Sequence, residues 1–332
     1  MKITFFSTKP YDRNSFTVAN EQFNYELEFF ETHLGPHSVE MVKDTTVVCA
    51  FVNDKLGRNV LEPLAAKGVK IIALRCAGFN NLDMEAAKEL GLRVCRVPAY
   101  SPQAVAEHAL AMIMTLNRKT HKAYNRVREQ NFALQGLLGF ALYGKTVGVV
   151  GTGNIGKAFI KIMLGLGCKV LAYDVYPDKA LESLGVTYHP LEEVLQQSDI
   201  ISLHCPLTDD TYHLVNKDTI RHMKKGVMII NTGRGKLINT KDTIDGLKKG
   251  QIGYLGIDVY EQEEQLFFRD LSADIIQDDM IQRLMSFPNV LVTAHQAFFT
   301  KEALEQIADV TLNNIKALAK AEEPETKGAI VV

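Results

Sequence analysis

The chain has no marked excess of either charge, no long apolar run, no paired cysteine motif and no low-complexity tract. Each absence excludes a class of protein. A formal net charge of −2 offers no basic face for nucleic acid or another polyanion, so no nucleic-acid partner is expected and small-molecule chemistry is the starting point. No apolar stretch approaches the ~20 residues that span a bilayer, so no membrane partner is expected either. The opening MKITFFSTKPYD breaks its short apolar run at Lys9 and Pro10, without the longer hydrophobic region of a secretory signal. Five cysteines (Cys49, Cys76, Cys95, Cys168 and Cys205) lie scattered, mostly inside apolar runs. They read as reduced thiols of a cytoplasmic protein. The histidines are dispersed and lack ligand spacing, so no metal site is expected.

At 332 residues the chain is long enough for about two domains. Short β-rich runs alternate with helical stretches throughout. The first series is KITFFS, YELEFF, TVVCAF, KIIALR and LRVCRV; the second is TVGVV, KVLAY, DIISLH, GVMIIN, GYLGID and NVLVT. Runs that are apolar almost throughout belong in a parallel sheet covered on both faces. The expected fold class is therefore α/β, with two Rossmann-like, doubly wound parallel-sheet domains separated by an active-site cleft. A boundary is expected near residues 98–101, where Ser101 is placed as N-cap and Pro102 as first residue of a long helix. The final helix, from about Lys301 to Ala321, suits either domain by its amphipathic pattern.

The stretch TVGVVGTGNIGKAFIKIMLGL puts GxGxxG (Gly151, Gly153, Gly156) between an apolar strand and a helix, and Asp174 ends the next strand 18 residues past Gly156. This arrangement has a physical reading. Gly151 allows a tight turn, Gly153 lets backbone approach a pyrophosphate, and Gly156 permits close packing of helix on strand. The helix N-terminus, with Asn154 and Ile155 beside Gly156, supplies free N–H groups for phosphate oxygens. Asp174 is suited to hydrogen-bond ribose hydroxyls and to repel a 2′-phosphate, which favours NAD over NADP.

Hydride transfer needs a cation for the substrate and a group that moves the accompanying proton. Arg234 lies in the Gly-flanked turn after GVMIIN, where its guanidinium can grip a carboxylate with two parallel bonds; capping that turn is its structural alternative. His295 follows the strand NVLVT, a suitable place for a titratable imidazole, though a lone histidine also serves as structure. The acid that would complete a triad lies in GIDVYEQEEQLFF, among Asp258, Glu261, Glu263 and Glu264. Strand periodicity does not choose among them, because the strand is expected to end near Tyr260.

The stretches VPAYSPQAVAEHAL, GKTVGVVGTGNIG, SDIISLHCPLT, MIINTGRG, GYLGIDVYEQE, LFFRDLSADIIQDD and NVLVTAHQAF resemble the D-specific 2-hydroxyacid dehydrogenases along essentially the whole chain, and among them the bacterial fermentative D-lactate branch. The resemblance implies NADH-dependent, reversible reduction of pyruvate to D-lactate. It picks Glu263 as the acid paired with His295, the general acid/base, and gives Arg234 the substrate carboxylate and carbonyl. It places Ala77 and Gly78 in a second carboxylate cradle and Tyr100, Phe51 and Phe298 around the substrate side chain. Asp258 is assigned to the nicotinamide carboxamide, with Pro206, Thr232 and Gly233 along the cofactor path. Glu261 and Glu264 become solvated flank.

The same resemblance assigns residues 1–99 plus 298–332 to a flavodoxin-like substrate domain and 100–297 to a Rossmann NAD domain. It makes the helix after Ser101 a dimerisation helix, with a tetramer as the larger option for a homo-oligomer. Phe299 departs from the leucine common in close relatives and bears on fine substrate selectivity. Two rival readings are an enzyme preferring a larger 2-oxoacid and an NAD-sensing protein of the corepressor type.

Overall fold

The computed structural model describes residues 1–332, apart from the side chain of Gln265. It forms two compact units, Met1–Ser101 with Phe298–Val332, and Pro102–Ala297. The first contains β1 (Lys2–Phe5), β2 (Glu26–Phe29), β3 (Val47–Ala50), β4 (Ile71–Leu74) and β5 (Arg93–Arg96). They form a parallel sheet in the order β2-β1-β3-β4-β5, the flavodoxin-like winding. β3 and β4 are buried on both faces, as their unbroken apolar sequences require. The helix Lys301–Ala319 belongs to this unit and buries Ala303, Ile307, Leu312 and Ile315. Beyond it, Val331 and Val332 exchange backbone hydrogen bonds with Val94 of β5.

The second unit contains β6 (Thr146–Val150), β7 (Lys169–Tyr173), β8 (Thr187–Tyr188), β9 (Ile200–Leu203), β10 (Val227–Asn231), β11 (Ile252–Ile257) and β12 (Val290–Val292). The order is β12-β11-β10-β9-β6-β7-β8, all parallel. Only the two-residue β8 was not among the sequence runs, being too short to show a pattern. β10 shows why these strands are apolar without alternation. Val227 and Ile229 enter the cluster with Leu203 and Leu255, while Met228 and Ile230 enter the opposite one with Val147, Val149 and Phe159. Shortening Ile229 to alanine would cost about 2–5 kcal/mol.

The helix expected after Ser101 comes as two, Pro102–Arg118 and Thr120–Arg128. Lys119 breaks it in a left-handed conformation, φ 52°, and its Nζ donates to the carbonyls of Gly136 and Leu138. Pro102 is the first helical residue, where a proline sacrifices no helical hydrogen bond. Loops bearing Gly151, Cys205, Arg234, Asp258 and His295 leave the carboxyl ends of β6, β9, β10, β11 and β12, the edge at which open parallel sheets bind ligands.

Candidate active site

The turn from β6 into the helix Asn154–Gly165 leaves no room for side chains at two positions. A Cβ on Gly151, whose φ is +96°, would lie 2.5 Å from the Cys205 nitrogen, and one on Gly156 would lie 2.0 Å from the Gly151 oxygen. A Cβ on Gly153 meets nothing within 4 Å, so the approach to the helix N-terminus is open. There the first-turn amides of Asn154, Ile155 and Gly156 have no helical acceptor. Asp174, just past β7, is held from both sides: Oδ2 accepts from the Thr152 amide at 2.6 Å and hydroxyl at 3.1 Å, and Oδ1 from the Tyr176 amide at 2.9 Å. Tyr188 donates in turn to the Thr152 hydroxyl at 3.0 Å. The buried Thr232 hydroxyl oxygen, beside Gly233, has no hydrogen-bond partner among the described residues. An open helix N-terminus, a fixed carboxylate after β7 and a buried unsatisfied hydroxyl fit a dinucleotide. Burial lowers the His204 imidazole to about 4 and raises the Cys205 thiol to about 11, so neither carries charge beside this loop at neutral pH.

At the end of β10, Asn231 braces the turn that presents Arg234. Its Oδ1 accepts from Gly233 N at 3.0 Å and its Nδ2 donates to Arg234 O at 2.9 Å. Arg234 Nη1 donates to its neighbour's carbonyl, Gly233 O, at 2.8 Å. Among the described residues it has no carboxylate partner. A guanidinium so placed is available to an external anion.

Past β12, His295 Nδ1 lies 3.0 Å from Glu263 Oε1, both side chains being one-fifth exposed. An ionised carboxylate only accepts, so Nδ1 carries the proton of this bond and Nε2 faces elsewhere. Glu263 Oε2 accepts the Tyr260 amide at 2.9 Å, and the Phe268 ring lies 5.8 Å from the imidazole. His295 itself has φ +52°, a conformation that non-glycine residues hold only when their surroundings impose it. Asp258 imposes it: its carbonyl accepts His295 N at 2.8 Å, and its carboxylate accepts the Gln296 and Ala297 amides, each at 2.9 Å.

That geometry gives Asp258 work the sequence did not disclose. Its side chain is fully buried, and Thr293 and His108 also approach Oδ1. Burial alone would raise this carboxyl; the hydrogen bonds from His108, Thr293, Gln296 and Ala297 outweigh it and hold it below its ordinary value. Two expectations for the acidic stretch need correction. β11 ends at Ile257, three residues before Tyr260, so strand parity has no meaning beyond it. Glu261 is no solvated flank: Oε1 lies 2.6 Å from His213 Nε2 and Oε2 accepts the Thr240 amide at 2.8 Å. Glu264 is exposed.

The residues assigned to substrate in the first unit also group by element. Among the described residues, the Ala77 and Gly78 amides after β4 donate to no acceptor. Phe51 follows β3, with the Arg75 guanidinium 4.8 Å from its ring centre. Tyr100 and Phe298 meet edge to face at 6.0 Å. Phe299 packs on Tyr11 at 4.7 Å and stays half exposed. Asn231, Asp258 as anchor, Glu261 and His213 were missed as supports; the only local hint was an asparagine ending a strand before a Gly-rich turn, a turn-forming position.

Residues 110–297 match the D-isomer specific 2-hydroxyacid dehydrogenase, NAD binding domain, family. The chain belongs to that family, a group of NAD-dependent oxidoreductases. It is 54% identical to D-lactate dehydrogenase of Escherichia coli over 97% of this chain and 98% of that one. Among solved structures it matches the apo form of D-lactate dehydrogenase from Escherichia coli with a TM-score of 0.91 and 51% identity, covering all of both chains. It matches the pyruvate reductase of Chlamydomonas reinhardtii with 0.93 and 44%, covering 98% of each.

Proposed function

We propose that this chain reduces pyruvate to D-lactate with NADH, reversibly. The observation that carries the reading is the His295–Glu263 pair beside a strand-end loop whose Arg234 has no carboxylate of its own among the described residues. Gly151, Gly153, Asn154, Ile155, Gly156, Asp174, Pro206, Thr232 and Gly233 hold the cofactor, which supplies the hydride when bound; Asp258, expected at the nicotinamide carboxamide, has its carboxylate fully buried and taken by internal donors and serves the His295 loop instead. Arg234 binds the carboxylate and polarises the carbonyl. His295, oriented by Glu263, delivers a proton to the carbonyl oxygen from Nε2 and takes it back in the reverse direction. From the first unit, the Ala77 and Gly78 amides are assigned to the carboxylate and Phe51, Tyr100 and Phe298 to the methyl group. The names of the relatives support pyruvate over bulkier 2-oxoacids.

Residues 1–99 with 298–332 serve as the substrate domain and 100–297 as the NAD domain. A homo-oligomer is supported by the exposed apolar side chains Tyr124, Phe132, Leu134, Leu138 and Tyr143 along and after the helix Thr120–Arg128, a concentration that a second copy would cover. Five unpaired cysteines suit a reducing, cytoplasmic setting. The test is incubation with pyruvate and NADH followed by chiral analysis. D-lactate is expected; L-lactate, or no product, overturns the proposal.

A further inference from the structure

Just beyond β11 a second carboxylate–imidazole pair stands next to the one assigned to chemistry. Glu261 and His213 have side chains only 18% and 21% exposed and approach to 2.6 Å. The other face of the ring is equally defined, since His213 Nδ1 lies 3.2 Å from Asn239 Nδ2. Asn239 Oδ1 is already occupied by the Asp242 amide at 3.0 Å, as cap of the helix Thr240–Lys248. That cap turns the NH2 group toward the ring. The imidazole therefore accepts at Nδ1 and donates from Nε2 to Glu261.

Three segments converge on this pair. Residues 213–215 are stitched to the chain after Arg234: His213 N donates to Lys236 O at 2.9 Å, Val215 N to Leu237 O at 3.0 Å, and Asn239 N to Val215 O at 2.8 Å. Gly235, next to Arg234, lies so close to the following segment that a Cβ would sit 2.1 Å from the Tyr260 carbonyl carbon and 2.5 Å from Glu261 N. On the other side Glu263 accepts the Tyr260 amide. The Arg234 turn and the Glu263 carboxylate thus rest on one peptide step, Tyr260–Glu261. The Glu261 side chain ties that step to His213 and to the first amide of the helix Thr240–Lys248.

We propose that Glu261 and His213 are positioning residues, a clamp that fixes the Arg234 turn against the Glu263–His295 pair. This inference rests on the roles given above to Arg234, Glu263 and His295. Displacement of a binding group by about 1 Å can cost 10²-fold in rate, so such a clamp has a kinetic signature of its own. It acts on the anion-binding arginine and leaves the dinucleotide turn at Gly151–Gly156 untouched.

The test uses the full chain with pyruvate and NADH, and reads kcat, pyruvate KM, NADH affinity and melting temperature. Glu261→Ala and His213→Ala should each raise pyruvate KM about tenfold, with a smaller fall in kcat and unchanged NADH affinity. Glu261→Gln keeps an acceptor for the Thr240 amide and should recover part of the loss. The double variant should lose less than the two single losses combined, because each single already removes the shared Glu261–His213 bond. If the alanine variants fail to fold, Glu261→Gln and His213→Asn carry the comparison, with a raised pyruvate KM at unchanged NADH affinity still expected. Pyruvate KM within twofold of wild type, or additive losses in the double variant, would sink the clamp alone. A wild-type chain inactive with pyruvate would overturn both this inference and the function it rests on.

Discussion

Arg75 and Arg234 both follow buried parallel strands at their carboxyl ends, β4 in one unit and β10 in the other. Their surroundings differ. Arg75 is 1% exposed; its Nε donates to Asp12 at 3.3 Å and its Nη2 to Ser7 O at 2.8 Å, while its guanidinium covers Phe51. Arg234 is partly exposed and bonds only to a carbonyl beside it among the described residues. The first cation is held by internal acceptors, whereas the second has no internal carboxylate among the described residues and is the one proposed above to bind substrate. The difference teaches that position at a strand end does not by itself single out an arginine for a ligand; the lack of an internal counter-ion is what makes Arg234 the candidate.

The strongest way to break this comparison is Arg75→Met, which leaves the buried Asp12 without its partner. A loss of about 3–5 kcal/mol in urea unfolding is expected, and a change under about 1 kcal/mol would show that the pair is dispensable. Arg234→Gln should do the opposite: near-normal unfolding, with kcat/KM for pyruvate down by about 10²-fold, or about 2.7 kcal/mol. Unchanged pyruvate kinetics would remove Arg234 from the site.

The smallest expected effect concerns Asp258, the buried acid that shapes the His295 loop. Its pKa is lower in the folded chain, so its contribution to stability is present above the unfolded value of about 4 and is lost as pH falls through the folded one. Asp258→Asn should therefore cost about 1–3 kcal/mol at neutral pH, with the gap from wild type closing in acid. Urea midpoints at about pH 7 and about pH 3 check this; a gap that stays constant would contradict the assignment.

The strands and the dinucleotide turn were legible because their signals are local. An apolar run needs only its own residues to be recognised, and the three glycines and Asp174 lie within one strand–helix–strand step. Glu263 was chosen by family likeness, since parity ends with β11 at Ile257. The supports were not legible at all. Glu261 meets His213 across 48 positions and Asp258 meets Ala297 across 39. Nothing in TYHLV or in EQEE, taken alone, announces such a partner. The backbone bonds from residues 213–215 to 236–239, with the close packing of Gly235 against Tyr260, bring those segments together.

The return of Phe298–Val332 to the first unit has a consequence for the order in which the chain becomes a protein. Residues 102–297 are continuous and can finish folding as soon as they emerge during synthesis. The first unit is made in two instalments, and β5 gains its contact with Val331 and Val332 only after the whole second unit has been made. Until then an edge strand stands uncovered, open to pairing with another chain. A nascent chain is thus open to such pairing at β5 until Phe298–Val332 follows the second unit.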